Sequence, residues 1–135
     1  MATPLTLLAG TTTNPVQQIL NTVVSTVDAT PTIVQTLRPA ANTSTLLWIK
    51  VIGVRIGTGA TSNYVRTLRA KRVGSTTTIT DVDTIGTDTE DEAATALTVA
   101  VAANNLDVTV TATGVVAESY FWSVNTTSTS TLAFA

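Results

Sequence analysis

Hydrophobic and polar positions alternate along most of this chain with a period of two. The clearest run is STLLWIKVIGVRI (44–56). Leu46, Trp48, Ile52, Val54 and Ile56 fall on one side of an extended strand, interrupted by Lys50, and Leu47, Ile49, Val51 and Gly53 fall on the other. Both sides are apolar, so the run is expected to be a central strand covered on both faces. After the loop from Gly57 to Ser62, Tyr64, Arg66, Leu68, Ala70 and Arg72 alternate with Val65, Thr67, Arg69, Lys71 and Val73 in a second strand (63–73). Gly74-Ser75 turns into a third, TTTITDVDTI (76–85). Residues 93–102 and 106–113 read as a hairpin around Asn104-Asn105, where asparagine tolerates the turn backbone. VAESYFWSV (116–124), with Tyr120 and Trp122 opposite Phe121, makes the last core strand. Nearer the start, QILNTVVSTV (18–27) and TIVQTL (32–37) flank the turn residues Asp28-Ala29-Thr30-Pro31 and are expected to pair as a hairpin.

Strands at this spacing predict an all-β fold, a β-sandwich or jelly roll of about eight antiparallel strands, over residues 18–124. The flanks read differently. Residues 1–17 are small, polar and Thr-rich with Pro4 and Pro15, and are expected to form an extended N-terminal arm. NTTSTSTLAFA (125–135) is expected to be a C-terminal arm with Leu132 and Phe134 at strand spacing. An extended arm adds main-chain hydrogen bonds at a neighbour's sheet edge while its apolar side chains fill shallow pockets. Leu5, Leu7, Leu8, Leu132 and Phe134 are the candidate contacts of that kind.

Composition sharpens the picture. There are 31 Thr among 135 residues, so Thr takes the solvent-facing role that charge usually fills. Its branched side chain suits a pleated sheet. Cys and His are absent. That excludes disulfides, thiolate chemistry, Cys-based zinc sites, and the commonest general base and metal ligand. No cofactor is expected, and no catalytic apparatus. Met1–Gly10 has no positive n-region and no run approaches the ~18 apolar residues of a membrane span, so a soluble chain outside the classical secretory route is expected.

The formal net charge of −2 gives a weak overall field. All seven basic residues nevertheless fall between Arg38 and Arg72, and eight of the nine acids between Asp81 and Glu118. Arg66, Arg69, Lys71 and Arg72 on one side, and Asp88, Glu90 and Asp91 on the other, are candidates for head-to-tail docking of like subunits. The competing reading pairs the basic and acidic strands within one domain. Nucleic-acid binding is not expected, because the four cations split across both faces of their strand. A Ca²⁺ site at Asp88, Glu90, Asp91 and Glu92 lacks the spacing and central Gly of an EF-hand loop. Asp81 and Asp83 as a glycosidase pair lack a recognisable cleft, and no base is identifiable to activate a Thr nucleophile. An exposed pair among Trp48, Trp122, Tyr64 and Tyr120 would suit a sugar, although the core has first claim on so few aromatics.

The order DATPTIVQTL (28–37), TLLWIKVIGVRIGTGA (45–60), NYVRTLRAKRVGSTTTI (63–79), TEDEAA (89–94), LDVTVTATG (106–114) and YFWSV (120–124) resembles small Thr-rich β-domains of tailed-phage virions. The likeness lies in strand patterns joined by a Gly-rich and an acidic loop. Arg55-Ile56-Gly57 departs from relatives that carry a second Arg and a longer Gly-rich loop. The resemblance implies a virion structural protein assembled in the host cytoplasm. Such domains serve as capsid cement (decoration) proteins on the capsid exterior, or as tail-fibre, tail-tip or baseplate parts that contact host glycan. The implied partners are the major capsid protein and copies of the chain itself, as a dimer or trimer, without nucleic acid or membrane.

Overall fold

The computed structural model describes residues 4–10 and 16–134. Ten strands form two facing sheets, and no helix occurs among the described residues. They are β1 (Leu5–Leu7), β2 (Val16–Thr26), β3 (Thr32–Pro39), β4 (Thr43–Arg55), β5 (Thr61–Val73), β6 (Thr76–Thr84), β7 (Thr89–Glu90), β8 (Ala96–Val101), β9 (Val108–Thr113) and β10 (Tyr120–Ser130). The smaller sheet has the order β1-β3-β9-β8 and the larger β2-β10-β4-β5-β6, with β7 pairing beside β6 on the same edge of β5. All pairs are antiparallel except β1 with β3. The expected all-β sandwich is the observed fold. The strands beyond the eight expected are β1, inside the anticipated arm, and β7, inside the acidic loop.

Turn chemistry holds the predicted hairpins. Gly74, at φ 58°, opens a two-residue connection between Val73 and Thr76, as a type II′ turn requires. Asn105, at φ 59°, turns β8 into β9, and the Asn104 side chain accepts from the N–H groups of Leu106 and Asp107 at 2.9 and 3.1 Å. β6 departs from ideal pairing: Thr80 faces Arg69 and Asp83 faces Thr67, so two residues oppose Leu68. Asp81 takes φ 57° in that bulge.

The expected hairpin of residues 18–27 with 32–37 is corrected. β2 pairs with β10 and β3 with β9, in different sheets. Asp28 Oδ1 accepts from Thr30 N–H at 2.8 Å, and the chain arches across the sandwich instead of folding back in plane. Alternation marks both segments as strands and is silent on their partners, and the five residues 27–31 are too many for a two-residue primed turn.

The anticipated C-terminal arm is corrected over residues 125–130, which continue β10 in register with β2 and β4. Thr126, Ser128 and Ser130 point inward and are buried. Thr126 donates to Gln35 Oε1, and the Ser130 and Thr45 hydroxyls lie 3.0 Å apart. Ser128 Oγ has no partner. A Thr/Ser run reads as a solvated tail, yet a paired hydroxyl is at home between sheets. In the N-terminal arm, Leu7 is fully buried in the core and Leu5 packs against it. Residues 1–3, 11–15 and Ala135 of the expected arms lie outside the described residues.

The core runs between the sheets through Leu37, Leu47, Ile49, Leu68, Val110, Tyr120 and Trp122. Tyr120 and Trp122 stack with ring centroids 5.3 Å apart, and Trp122 Nε1–H donates to Thr26 Oγ1 at 3.0 Å. The indole lies over Gly53, where any Cβ would collide with the ring.

Candidate docking face

β4 obeys its two-residue alternation strictly, but only one side is covered. Leu47, Ile49 and Val51 are buried, whereas Leu46, Trp48, Lys50 and Ile52 point to solvent. The expectation of burial on both faces is therefore corrected. Two apolar sides do not establish two covering layers, and the smaller sheet covers only one side of the larger. Register brings further apolar residues onto the exposed side. Thr127 stands beside Trp48 and pairs with Ile19 on its other flank; Ser123 likewise links Ile52 to Val23. Phe121 pairs with Val54 at the end of the same face. Ile19, Val23, Leu46, Trp48, Ile52 and Phe121 are between 44 and 69% exposed. Scattered single apolar residues on a surface are ordinary; several on neighbouring strands of one face mark an interaction site.

The face also carries cations. Lys50 Nζ lies 5.9 Å from the Trp48 ring centroid, a cation–π distance. Further along the face, Arg69 and Lys71 stand on β5 opposite Leu46 and Ser44. Arg69 Nε–H donates to Thr80 at 3.1 Å, and its nearest carboxylate, Asp81, is 3.8 Å away and exposed. A groove of about 680 Å³ runs between Ser44, Arg69, Lys71, Thr131, Leu132 and Phe134. A smaller one of about 220 Å³ continues along Leu46, Trp48, Lys50, Thr127 and Thr129.

The expected arm contacts divide. Leu7 is fully buried in the protein's own core, and Leu5 is partly buried against it. Leu8, Leu132 and Phe134 are exposed. They are brought to one region: Gly10 bridges Leu132, with Gly10 N–H donating to Thr131 O at 2.7 Å. Phe134 N–H donates to Asn42 O at 2.8 Å, and Lys71 Nζ sits 5.8 Å from the Phe134 ring centroid. The end of the chain thus lies along the groove of the larger sheet.

The charged candidates mostly find partners inside the domain, as the competing reading expects. Arg66 grips Asp88 through two hydrogen bonds of 2.6 and 2.8 Å, and this contact holds the Asp88 carboxyl below the usual carboxylate range. Arg38 binds Asp107 at 2.7 and 3.1 Å and lowers its pKa in the same way. Arg72 donates to the carbonyls of Gly74 and Pro39 at 2.8 and 2.7 Å. Arg55 pairs with Glu92 and Glu118.

The acidic loop folds onto β5 and β10. The Tyr64 hydroxyl lies 2.9 Å from both Glu90 Oε2 and Thr95 Oγ1, and burial pushes the phenol up to about 12. Asp91 Oδ2 accepts from Thr61 N–H at 2.9 Å, and Tyr120 donates to Glu92 Oε1. No group of three or more metal-ligating side chains is assembled among the described residues. The Asp81 bulge interrupts the alternation that would set Asp81 beside Asp83.

Sequence reasoning passed over the face itself, although two signals for it were present. Lys50 interrupts the outward row of β4. Phe121, Ser123, Asn125, Thr127 and Thr129 make the matching row of β10 mostly polar, as a solvated side should be.

No protein-family model and no curated protein matches the chain. Among solved structures, the crystal structure of the Acinetobacter phage vB_ApiP_P1 tailspike protein aligns at 21% identity and a TM-score of 0.36. The alignment covers 96% of this chain, which spans 24% of that one.

Proposed function

We propose that the chain is a non-enzymatic structural protein of a phage virion, and specifically a capsid cement (decoration) protein on the outside of the major capsid shell. The observation that carries this reading is the exposed side of the larger sheet, where Ile19, Val23, Leu46, Trp48, Ile52 and Phe121 stand among Lys50, Arg69 and Lys71. A closed domain with its own core gains nothing internally from that surface. It fits an apolar partner surface with an acidic rim. Leu132 and Phe134 extend it at one end. Each contact is small, and many symmetry-related contacts on one particle replace single-site affinity with avidity. The virion assignment itself comes from the resemblance of the strand and loop sequences.

Copy number is the first test. Gel densitometry of purified virions is expected to give a stoichiometry that scales with the capsomers; one or a few copies would overturn the cement role. Deleting residues 131–135 is expected to lower occupancy while leaving the core intact. Deleting the N-terminal residues would not discriminate, because Leu7 is part of the core.

Trp48 favours a second reading. Its exposed ring beside Lys50, in the groove with Leu46, Thr127 and Thr129, is a platform on which a sugar ring could stack. A tail-fibre, tail-tip or baseplate part contacting host glycan would use it that way. Low copy number together with Trp48-dependent glycan binding would favour that role over cement.

A further inference from the structure

The outer strands of the sandwich differ in how well they resist an added strand. β1 has three residues and β8 six. β6 carries the Asp81 bulge together with the charges of Asp81 and Asp83, devices that discourage edge pairing. β2 has neither. It keeps unbroken register with β10 over eleven residues, from Val16 to Thr26, and contains no charge, Pro or Gly. Among the described residues no strand pairs its other edge. Its inward Leu20 and Val24 pack on the core, and side-chain bonds tie it to the smaller sheet: Gln18 accepts from Leu8 N–H at 2.8 Å and donates to Thr6 O at 3.3 Å, Gln35 Nε2 donates to Leu20 O at 3.4 Å, and Thr22 Oγ1 donates to Val34 O at 2.9 Å. A long, uncharged, regular edge is a template for another strand.

We propose that β2 is the site of self-association: two copies of the chain pair β2 to β2, antiparallel, about a two-fold axis at Asn21. A two-fold interface must be self-complementary, with each residue pair occurring twice. Centred on Asn21, Ile19 stands opposite Val23 of the second copy, and Val23 opposite Ile19. Both pairs lie on the outer face, where these side chains are otherwise exposed. Gln17 stands opposite Ser25, and on the inner side Leu20 stands opposite Thr22. All of these pairings keep inward residues inward, because partners share parity about the axis. No like charges meet, since β2 carries none. Asn21 Oδ1 already accepts from Asn125 Nδ2 at 2.7 Å, so its own amide N–H is available to the second Asn21. A second copy is favoured over a foreign strand because this pattern is its own complement. The two larger sheets then become one, and their exposed apolar faces join into a single surface.

The proposal gives a surface to the self-association within the cement reading and fails separately from it. Sedimentation of the full chain tests it: a dimer is expected at micromolar concentration. Ile19→Lys with Val23→Lys should weaken dimerisation at least tenfold while the monomer keeps the wild-type far-UV circular dichroism spectrum, since both positions are exposed. Register is tested by thiols, because the natural chain has no Cys. Asn21→Cys should form an intermolecular disulfide on mild oxidation, since directly opposed residues lie within bridging range. Ser25→Cys should not, because its two copies would be ~27 Å apart along the strands. A monomer at high micromolar concentration, a dimer indifferent to the two lysines, or equal cross-linking at both positions would overturn the proposal. Particle occupancy of the wild-type chain reports on the cement role separately.

Discussion

A methyl group at position 53 would lie 2.4 Å from the Trp122 ring. Gly53→Ala therefore forces the indole off its site or moves a central strand, and overpacking of this kind costs about 1–3 kcal/mol. Urea denaturation is expected to show that loss, with the Trp122 fluorescence altered in the folded state. The interior hydroxyls make a second comparison. Thr126→Ala removes a partner of buried Gln35 and should destabilise by about 1–3 kcal/mol. Ser128→Ala removes a hydroxyl that has no partner and should be neutral or stabilising in the same assay. Tyr64 adds a pH signature. Its folded pKa, about 12, lies above the unfolded value near 10. The unfolded state therefore releases the phenolic proton first, and the associated stability, fully present below pH ~10, is lost as pH rises through the folded value. Tyr64→Phe should flatten the alkaline limb of a stability–pH profile.

At the scale of elements, period-two alternation identified most strands to within a few residues, because strand side chains are sorted by face wherever one face is buried. Gly74 and Asn105 fixed the hairpins through the backbone they tolerate. Pairing across the fold left no such mark. β2 and β3 carry apolar rows that suit either a common sheet or two facing ones, and their true partners, β10 and β9, lie far along the chain. Thr126, Ser128 and Ser130 look solvated in the sequence, which hides the second half of β10, and only the partners Gln35 and Thr45 reveal how the inward hydroxyls of Thr126 and Ser130 are accommodated. The arms follow from the same physics. Deleting residues 4–10 removes Leu7 from the core, and removal of a buried Leu side chain costs about 2–5 kcal/mol. Deleting residues 131–135 removes exposed side chains and the bonds of Thr131 and Phe134 to the β4 end. Thermal melting of the two truncations should separate them clearly, with the N-terminal one much the less stable.

Across the whole molecule, the segregation of charge along the chain resolves into internal pairing. Arg38 with Asp107 and Arg66 with Asp88 join segments distant in sequence. Both carboxyls titrate below their ordinary value, so their contribution is present above the unfolded pKa of about 4 and lost as pH falls through the lower folded values. Asp107→Asn should flatten the acid limb of the stability profile. With those charges occupied, Lys50 and Lys71, together with Arg69 in its exposed 3.8 Å pair with Asp81, stand on the larger sheet's open side, among apolar residues that no layer of the described residues covers. The sequence displayed every one of these residues. It hid the fact that they share a solvent-facing side, because what covers a sheet is a property of the fold and not of any segment. The measurement that bears most directly on this account is occupancy on purified virions for Trp48→Ser with Ile52→Ser, two exposed positions whose replacement should leave the melting temperature within a few degrees of wild type. The account predicts at least a tenfold loss of bound protein. Full occupancy by a correctly folded variant would contradict it.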